Sequence, residues 1–229
     1  MTSELWRVET HCHTHYSKDC LMTIDRMMTV CRERGIDRLF ITDHNTADGA
    51  LKWAEIEPEL FIPGEEIMTT KGELLALFVK ETIQPFLSPE ETIRRLRDQG
   101  AFISVSHPFD RMRNGAWNRE DLDEIIDQVD AIEIFNARCF VMKENDEAEA
   151  YAKEHGVLGT VGSDAHHPVE IGKANLLIQP FEGPSDFAEA LKSSSREASL
   201  SPWWVHGLSS MAKWQRKYLK RSLPLTNQS

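Results

Sequence analysis

Hydrophobic positions along the chain fall into short β-rich runs that alternate with segments of helical period. WRVETHCH (6–13), DRLFITDH (37–44), ELFIPGEEI (59–67) and GELLALFV (72–79) predict four strands. AFISVSH (101–107), DAIEIFN (130–136), GVLGTVGSD (156–164) and ANLLIQP (174–180) predict four more. Between them, TIDRMMTVCRERG (23–35) predicts a helix with Thr23 as its N-cap and Gly35 as its stop. SPEETIRRLRDQG (88–100) carries Ser88 at the cap, Glu91 three residues on as in a capping box, and Gly100 at the end. Further helices are expected around 119–128, near 141–155 and over 184–194. Strands alternating with helices predict an α/β fold with a largely parallel sheet. The chain shows no internal repeat and no linker-like segment, which predicts one barrel over 1–200 and a helical extension over 201–229 packed on the same domain.

The polar residues sharpen this picture because they cluster where strands end. His11 and His13 close the first run, Asp43 and His44 the second; Glu65 and Glu66 lie in the third. His107 closes a later run, and Asp164 and His166 follow another in GSDAHH. In an α/β barrel such ends converge on one face, where active sites form. Residues i and i+2 of a strand share a face, so His11 and His13 are placed to share an ion while Cys12 turns away. Imidazole mixed with carboxylate suits zinc, manganese or iron, whereas purely carboxylate sites suit magnesium or calcium. The donors outnumber the needs of one four-coordinate ion, which predicts two or three divalent ions. Asp43 is expected to orient an imidazole by hydrogen bonding. Strand alternation sends Glu65 away from Glu66, as an exposed or supporting carboxylate. His15 falls off this pattern and is expected at the rim of the site. His155, at a predicted helix end, is expected as an exposed residue.

Six motifs in order carry a resemblance: H-x-H-T-x-x-S-x-D at His11–Asp19, T-D-H at Thr42–His44, G-x-E at Gly64–Glu66, H-P at His107–Pro108, E-x-F-N at Glu133–Asn136 and G-S-D-A-H at Gly162–His166. From about residue 6 to 195 the chain resembles the PHP (polymerase and histidinol phosphatase) family. The resemblance implies a distorted seven-stranded β/α barrel with its metal site at the C-terminal ends of the strands. It implies a first ion held by His11, His13, Glu66 and Asp164. Glu66 would bridge to a second ion that His107 also binds, and Asp19, His44 and His166 would hold a third. Many members carry histidine where this chain has Glu73, so either Glu73 binds the second ion or that position is weak or empty. The family also implies phosphoester hydrolysis.

Composition narrows the reading. The net charge of −11 argues against general affinity for nucleic acid or anionic membrane. Cys12, Cys20, Cys31 and Cys139 form no disulfide-like framework and are expected as reduced thiols in the cytoplasm. The first residues lack the apolar core of a signal peptide, and no run approaches the roughly 18 apolar residues of a membrane span. Without a G-x-S-x-G elbow or a P-loop, a metal-activated water is the expected nucleophile. The function expected is therefore metal-dependent phosphoesterase action on a small phosphorylated metabolite, monoester or diester. The alternatives are hydrolysis of a carbamate, amide or ester on the same scaffold, and a non-catalytic metal-binding partner module. Arg111 and Arg138, on loops after two strands, are expected to bind substrate phosphate, with Arg113 a further candidate. Asp164 and His166 are the catalytic candidates for proton transfer. The segment SPWWVHGLSSMAKWQRKYLKR (201–221) is aromatic and basic. It is expected as a terminal helix whose tryptophans cover the barrel or a subunit interface, with membrane or partner binding as the other reading. SLPLTNQS (222–229) is expected to fray.

Overall fold

The computed structural model describes residues 4–222, so 223–229, where fraying was expected, lie outside the described residues. The chain runs β1 (Trp6–Cys12), α1 (Ile24–Arg34), β2 (Arg38–Ile41), α2 (Asp48–Ile56), β3 (Phe61–Met68), β4 (Glu73–Leu77), α3 (Pro89–Gln99) and β5 (Phe102–Val105). It continues with α4 (Arg119–Asp123), a 3₁₀ turn at 126–128, β6 (Ala131–Asn136), α5 (Met142–His155), β7 (Leu158–Gly162), β8 (Ala174–Ile178), α6 (Pro184–Leu191), β9 (Ser195–Ala198) and α7 (Val205–Ser222).

The predicted helix signals act unevenly. Ser88 Oγ accepts the Glu91 N–H at 3.3 Å, but the Glu91 carboxylate turns to Arg94 and Arg95, so only half of the capping box forms. Thr23 occupies the N-cap position of α1 without a side-chain hydrogen bond, and Gly35 and Gly100 end their helices in the left-handed conformation. Two elements escaped the sequence reading. The Ala47 that precedes α2 offers no capping side chain, and β9 has all four residues exposed, so neither carries the usual signal.

Among the described residues nine strands join one nearly closed, barrel-like sheet in the order β7-β6-β5-β4-β3-β2-β1-β8-β9. This corrects the seven strands implied by the resemblance: β8 pairs antiparallel with β1, and β9 extends it. The expected largely parallel sheet is also only half right. β1–β2, β2–β3, β5–β6 and β6–β7 are parallel, whereas β3–β4, β4–β5, β1–β8 and β8–β9 are antiparallel. Between β3 and β4 the reason is loop length, since the 69–72 connection is a tight turn and far too short for a crossover.

The sheet curls until β7 meets β1. Thr10 Oγ1 donates to the Val161 carbonyl at 2.7 Å, the Ser163 N–H to Glu9 Oε1 at 2.8 Å, and the His13 N–H to the Ala165 carbonyl at 2.9 Å. Gly162 permits this approach: a Cβ there would strike His11 Cβ and lie 2.6 Å from Glu133 Oε1. An aromatic cluster lies within the buried core, where Phe187 of α6 meets Phe102 and Phe181 edge-on, both at 5.0 Å. Burying each such side chain contributes about 1.5–3 kcal/mol. Among the described residues no helix is long and apolar enough to cross a membrane.

Candidate metal centre

Six strands deliver predicted residues to one rim. His11 and His13 come from the end of β1, His44 follows β2, Glu66 lies near the end of β3, His107 follows β5 and Asp164 and His166 follow β7. Glu73 is the first residue of β4, and because β4 runs antiparallel to both neighbours its start lies beside their ends. In β1 the register against β2 shifts between Glu9 and Cys12, a bulge of the kind that re-aims side chains at functional rims. His107 and Asp164 adopt positive φ, 22° and 51°. Such conformations cost about 1–3 kcal/mol each and persist only where the surroundings enforce them.

The imidazoles are held by their outer nitrogens. His11 Nδ1 donates to Glu133 Oε1 at 3.0 Å. His13 Nδ1 donates to Ser17 Oγ at 3.1 Å, because the Ser17 hydroxyl proton is already given to Asp43 Oδ1 at 2.6 Å. His166 Nδ1 donates to the Asp164 carbonyl at 2.8 Å. With each Nδ1 proton committed, each Nε2 presents a lone pair inward in the neutral ring. His11 Nε2 then lies 3.1 Å from His13 Nε2 and 3.3 Å from Glu66 Oε1. His13 Nε2 is 3.2 Å from Asp164 Oδ1, and His166 Nε2 is 3.4 Å from Asp19 Oδ1. Lone pairs aimed at one another and at carboxylates repel unless protons or cations lie between them. The buried Glu66 Oε2, Asp164 Oδ1 and Asp19 Oδ1 also lack hydrogen-bond partners. This donor set fits divalent cations, and the Nδ1 contacts are those that metal-ligating histidines make.

Glu66 is the hub. Its Oε1 faces His11 and also His107 Nε2 at 3.0 Å, while its Oε2 lies 2.8 Å from His44 Nδ1. Glu73 Oε2 is 3.5 Å from His107 Nε2, so the glutamate that replaces the usual histidine stays inside the cluster. Gly115 makes the room: a Cβ there would overlap the Glu73 carboxylate. Within this centre ligand atoms gather within 4.8 Å in three sets, His11–His13–Glu66, His44–Glu66–Glu73 and His13–His44–His166; a fourth set among the described residues, Asp110–Cys139–Glu144, shares none of these side chains.

Charge is tightly coupled here. Burial opposes ionisation of Asp164, but Arg113 and His11 outweigh it and hold its carboxyl well below the usual range. Burial likewise disfavours the charged His11, yet Glu66, Asp164 and Glu133 raise its pKa well above the ordinary value. At Glu73 burial, then the Glu66 charge, push the carboxyl up.

The supporting residues are placed with equal definition. Asp43 accepts from the N–H and hydroxyl of both Thr14 and Ser17, so it supports His13 through one intervening hydroxyl. Glu65 is buried rather than exposed; it accepts the Ile83 N–H at 2.9 Å, and burial pushes its carboxyl up to about 8. His15, expected at the rim, is half-buried with its ring 4.9 Å from Tyr16. His155 ends α5 only partly exposed, stacked on Tyr151 at 4.2 Å. Arg113 reaches the cluster, bonding Asp164 and, at 2.9 Å, Asp110. Arg111 does not: its side chain is 72% exposed and pairs with Glu147. Arg138 is buried against Glu170 at 3.2 Å and Ser209 at 2.9 Å. Sequence reasoning assigned no role to Glu133, Asn136 or Ser17, although all three fall at fixed letters of the quoted motifs.

The chain is similar to known proteins over most of its length. Residues 9–71 match the model of the PHP domain and 143–195 that of a PHP-associated region. An uncharacterized protein of Methanocaldococcus jannaschii is 32% identical over 201 residues, covering 83% of this chain and 81% of its own. A protein of Caldicellulosiruptor bescii named as a probable phosphatase is 23% identical over 235 residues, covering 87% and 96%. Among solved structures, a two-domain protein of Bacteroides vulgatus containing a predicted PHP-like metal-dependent phosphoesterase shares the fold with a TM-score of 0.66 at 18% identity. The match covers 86% of this chain, which spans only 66% of that protein. Endonuclease Q, solved with a 27-mer duplex carrying an abasic lesion, shares it at 0.60 and 16% identity, over 84% of this chain and 58% of that one. With both family models met in order and a relative above 30% identity aligned along most of its length, this chain belongs to the PHP domain family.

Proposed function

We propose that the chain is a phosphoesterase that hydrolyses a small phosphorylated metabolite, monoester or diester, using two or three divalent ions of the zinc, manganese or iron type. The observation that carries this reading is the convergence of the His11, His13 and His166 Nε2 lone pairs on the carboxylates of Glu66, Asp164 and Asp19. His11, His13, Glu66 and Asp164 would hold one ion, Glu66, Glu73 and His107 a second, and Asp19, His44 and His166 a third. Bound there, the ions would lower the pKa of an attacking water and neutralise charge on the phosphoryl oxygens.

The chain's own residues then orient and exclude. Glu133, Ser17 and the Asp164 carbonyl fix the tautomers of His11, His13 and His166, so that in each neutral ring Nε2 is the nitrogen with the free lone pair. Asp164, held ionised by Arg113, can orient a water at Oδ1, and His166 borders the space where a leaving group would depart. Asp164 and His166 are thus the catalytic pair of this reading. Arg111 stands outside the cluster, and its exposed ion pair with Glu147, worth about 0–1 kcal/mol, offers little resistance to exchange for a substrate phosphate. Arg138, buried beside Glu170, which accepts the His166 N–H, acts from behind the site. The net charge of −11 supports a small substrate over nucleic acid, and four free, buried cysteines support a cytoplasmic setting.

Elemental analysis of the purified protein, with a screen of phosphomonoesters, phosphodiesters, carbamates and a DNA duplex, tests this reading. Bound transition metal and phosphoesterase turnover that His13→Ala reduces at least 100-fold are expected. A metal-free active protein, or full activity after His13→Ala, would overturn it.

A further inference from the structure

The terminal helix builds a wall beside the metal centre. Leu208, Met211, Ala212 and Gln215 recur at helical spacing and face Leu21 and Met22 of the loop after β1 and Pro168 of the loop after β7. Together they enclose a cavity of about 380 Å³ that Asp19 and His166 also line. Thr23, Arg26 and His167 complete the lining, so polar groups face the apolar ones across the cavity. Five contacts tie α7 down. Arg216 donates to the His15 carbonyl and, at 2.9 Å, to the Cys20 carbonyl; Arg138 donates to Ser209 Oγ at 2.9 Å. Lys213 Nζ sits 3.1 Å from Asp19 Oδ2, and His206 stacks on Phe140 at 4.0 Å. The tryptophans expected to cover the barrel do not form this wall: Trp203 is 81% exposed, because the inward stripe is aliphatic.

We propose that this cavity seats the organic group of the substrate, so that the phosphate ester hydrolysed is that of an apolar, ring-bearing alcohol. The assignment rests on the phosphoesterase reading and adds the chemistry of the leaving group. Three observations converge on it. The cavity opens onto His166 and Asp19, so a group seated there hangs from a phosphate at the metal centre. One side of it, built from Leu21, Met22, Pro168, Leu208, Met211 and Ala212, is continuous apolar surface, which favours burial of hydrocarbon over a hydroxyl-rich sugar that would lose hydrogen bonds to water. Its volume, at the small end for ligand pockets, suits about one or two rings.

Calorimetric binding of 1-naphthylphosphonate and methylphosphonate to the metal-loaded full chain tests this. The wild type should prefer the naphthyl ligand by at least about tenfold. Ala212→Phe, which fills the cavity, should reduce that preference to within about threefold. Where Ala212→Phe unfolds the helix, Met211→Glu carries the test, because Met211 is half-exposed and a charge there spoils the apolar wall without overpacking it. No naphthyl preference in the wild type, or an unchanged preference in a folded variant, would overturn the proposal. Tight naphthyl binding with no hydrolysis of any ester would keep the cavity assignment and sink the phosphoesterase reading instead.

Discussion

Replacing Glu133 by glutamine isolates the role of hydrogen bonding behind the metal ligands. Glu133 Oε1 accepts the His11 Nδ1 proton at 3.0 Å, while Oε2 accepts the His107 N–H and Asn136 Nδ2, both at 2.9 Å. Glutamine has the same shape but a single acceptor oxygen. If that oxygen stays with His107 and Asn136, an NH₂ group faces His11 Nδ1. The ring must then take the other tautomer and carry its proton on Nε2, the nitrogen aimed at Glu66 and His13. Metal affinity should fall about 10–100-fold, or roughly 1.4–2.7 kcal/mol. If glutamine flips instead, two buried donors face an NH₂ group at about 1–3 kcal/mol each. That would appear as a melting temperature lowered by about 2–4 °C per kcal/mol. Chelator competition and calorimetry on Glu133→Gln separate the two outcomes. A variant that binds metal within twofold of wild type and melts within about 1 °C of it would refute the tautomer argument.

Two further predictions follow from packing and charge. Gly115→Ala should push the Glu73 carboxylate out of the cluster, so elemental analysis should find about one ion fewer while His11, His13 and Asp164 still bind theirs; an unchanged metal content would show that Glu73 is not a ligand. His206 is held at a pKa of about 4, below the ordinary imidazole, first by burial and then by Arg138 and Arg113. The folded state therefore disfavours its proton: its stabilising effect is complete above about pH 6.5 and is lost as pH falls toward 4. Wild type should lose more melting temperature between pH 7 and 5 than His206→Phe, which keeps a ring against Phe140; equal losses would remove His206 from the account.

The sequence by itself determined the alternation of strands and helices and the placement of His11, His13, His44, Glu66, His107 and Asp164 at strand ends. Those features are local: periodicity, capping and stop signals act within a few residues, and the motif letters are contiguous. Only the tertiary structure decided which atoms meet. The antiparallel course of β4, forced by a short turn, brings Glu73 to the rim from the start of its strand rather than the end. Arg113 reaches Asp164 and Arg111 does not because the loop after His107 turns only one of the two inward, and no sequence pattern distinguishes them. Glu133 lies 122 residues from His11 along the chain, and its hydrogen bond exists because the sheet curls until β7 meets β1 across Gly162. Likewise, α7 could be read as an amphipathic helix, but where its aliphatic stripe docks depends on long-range contacts such as Arg216 with the carbonyls of His15 and Cys20. Contacts across such separations depend on how the whole sheet closes, and local physical chemistry does not encode that.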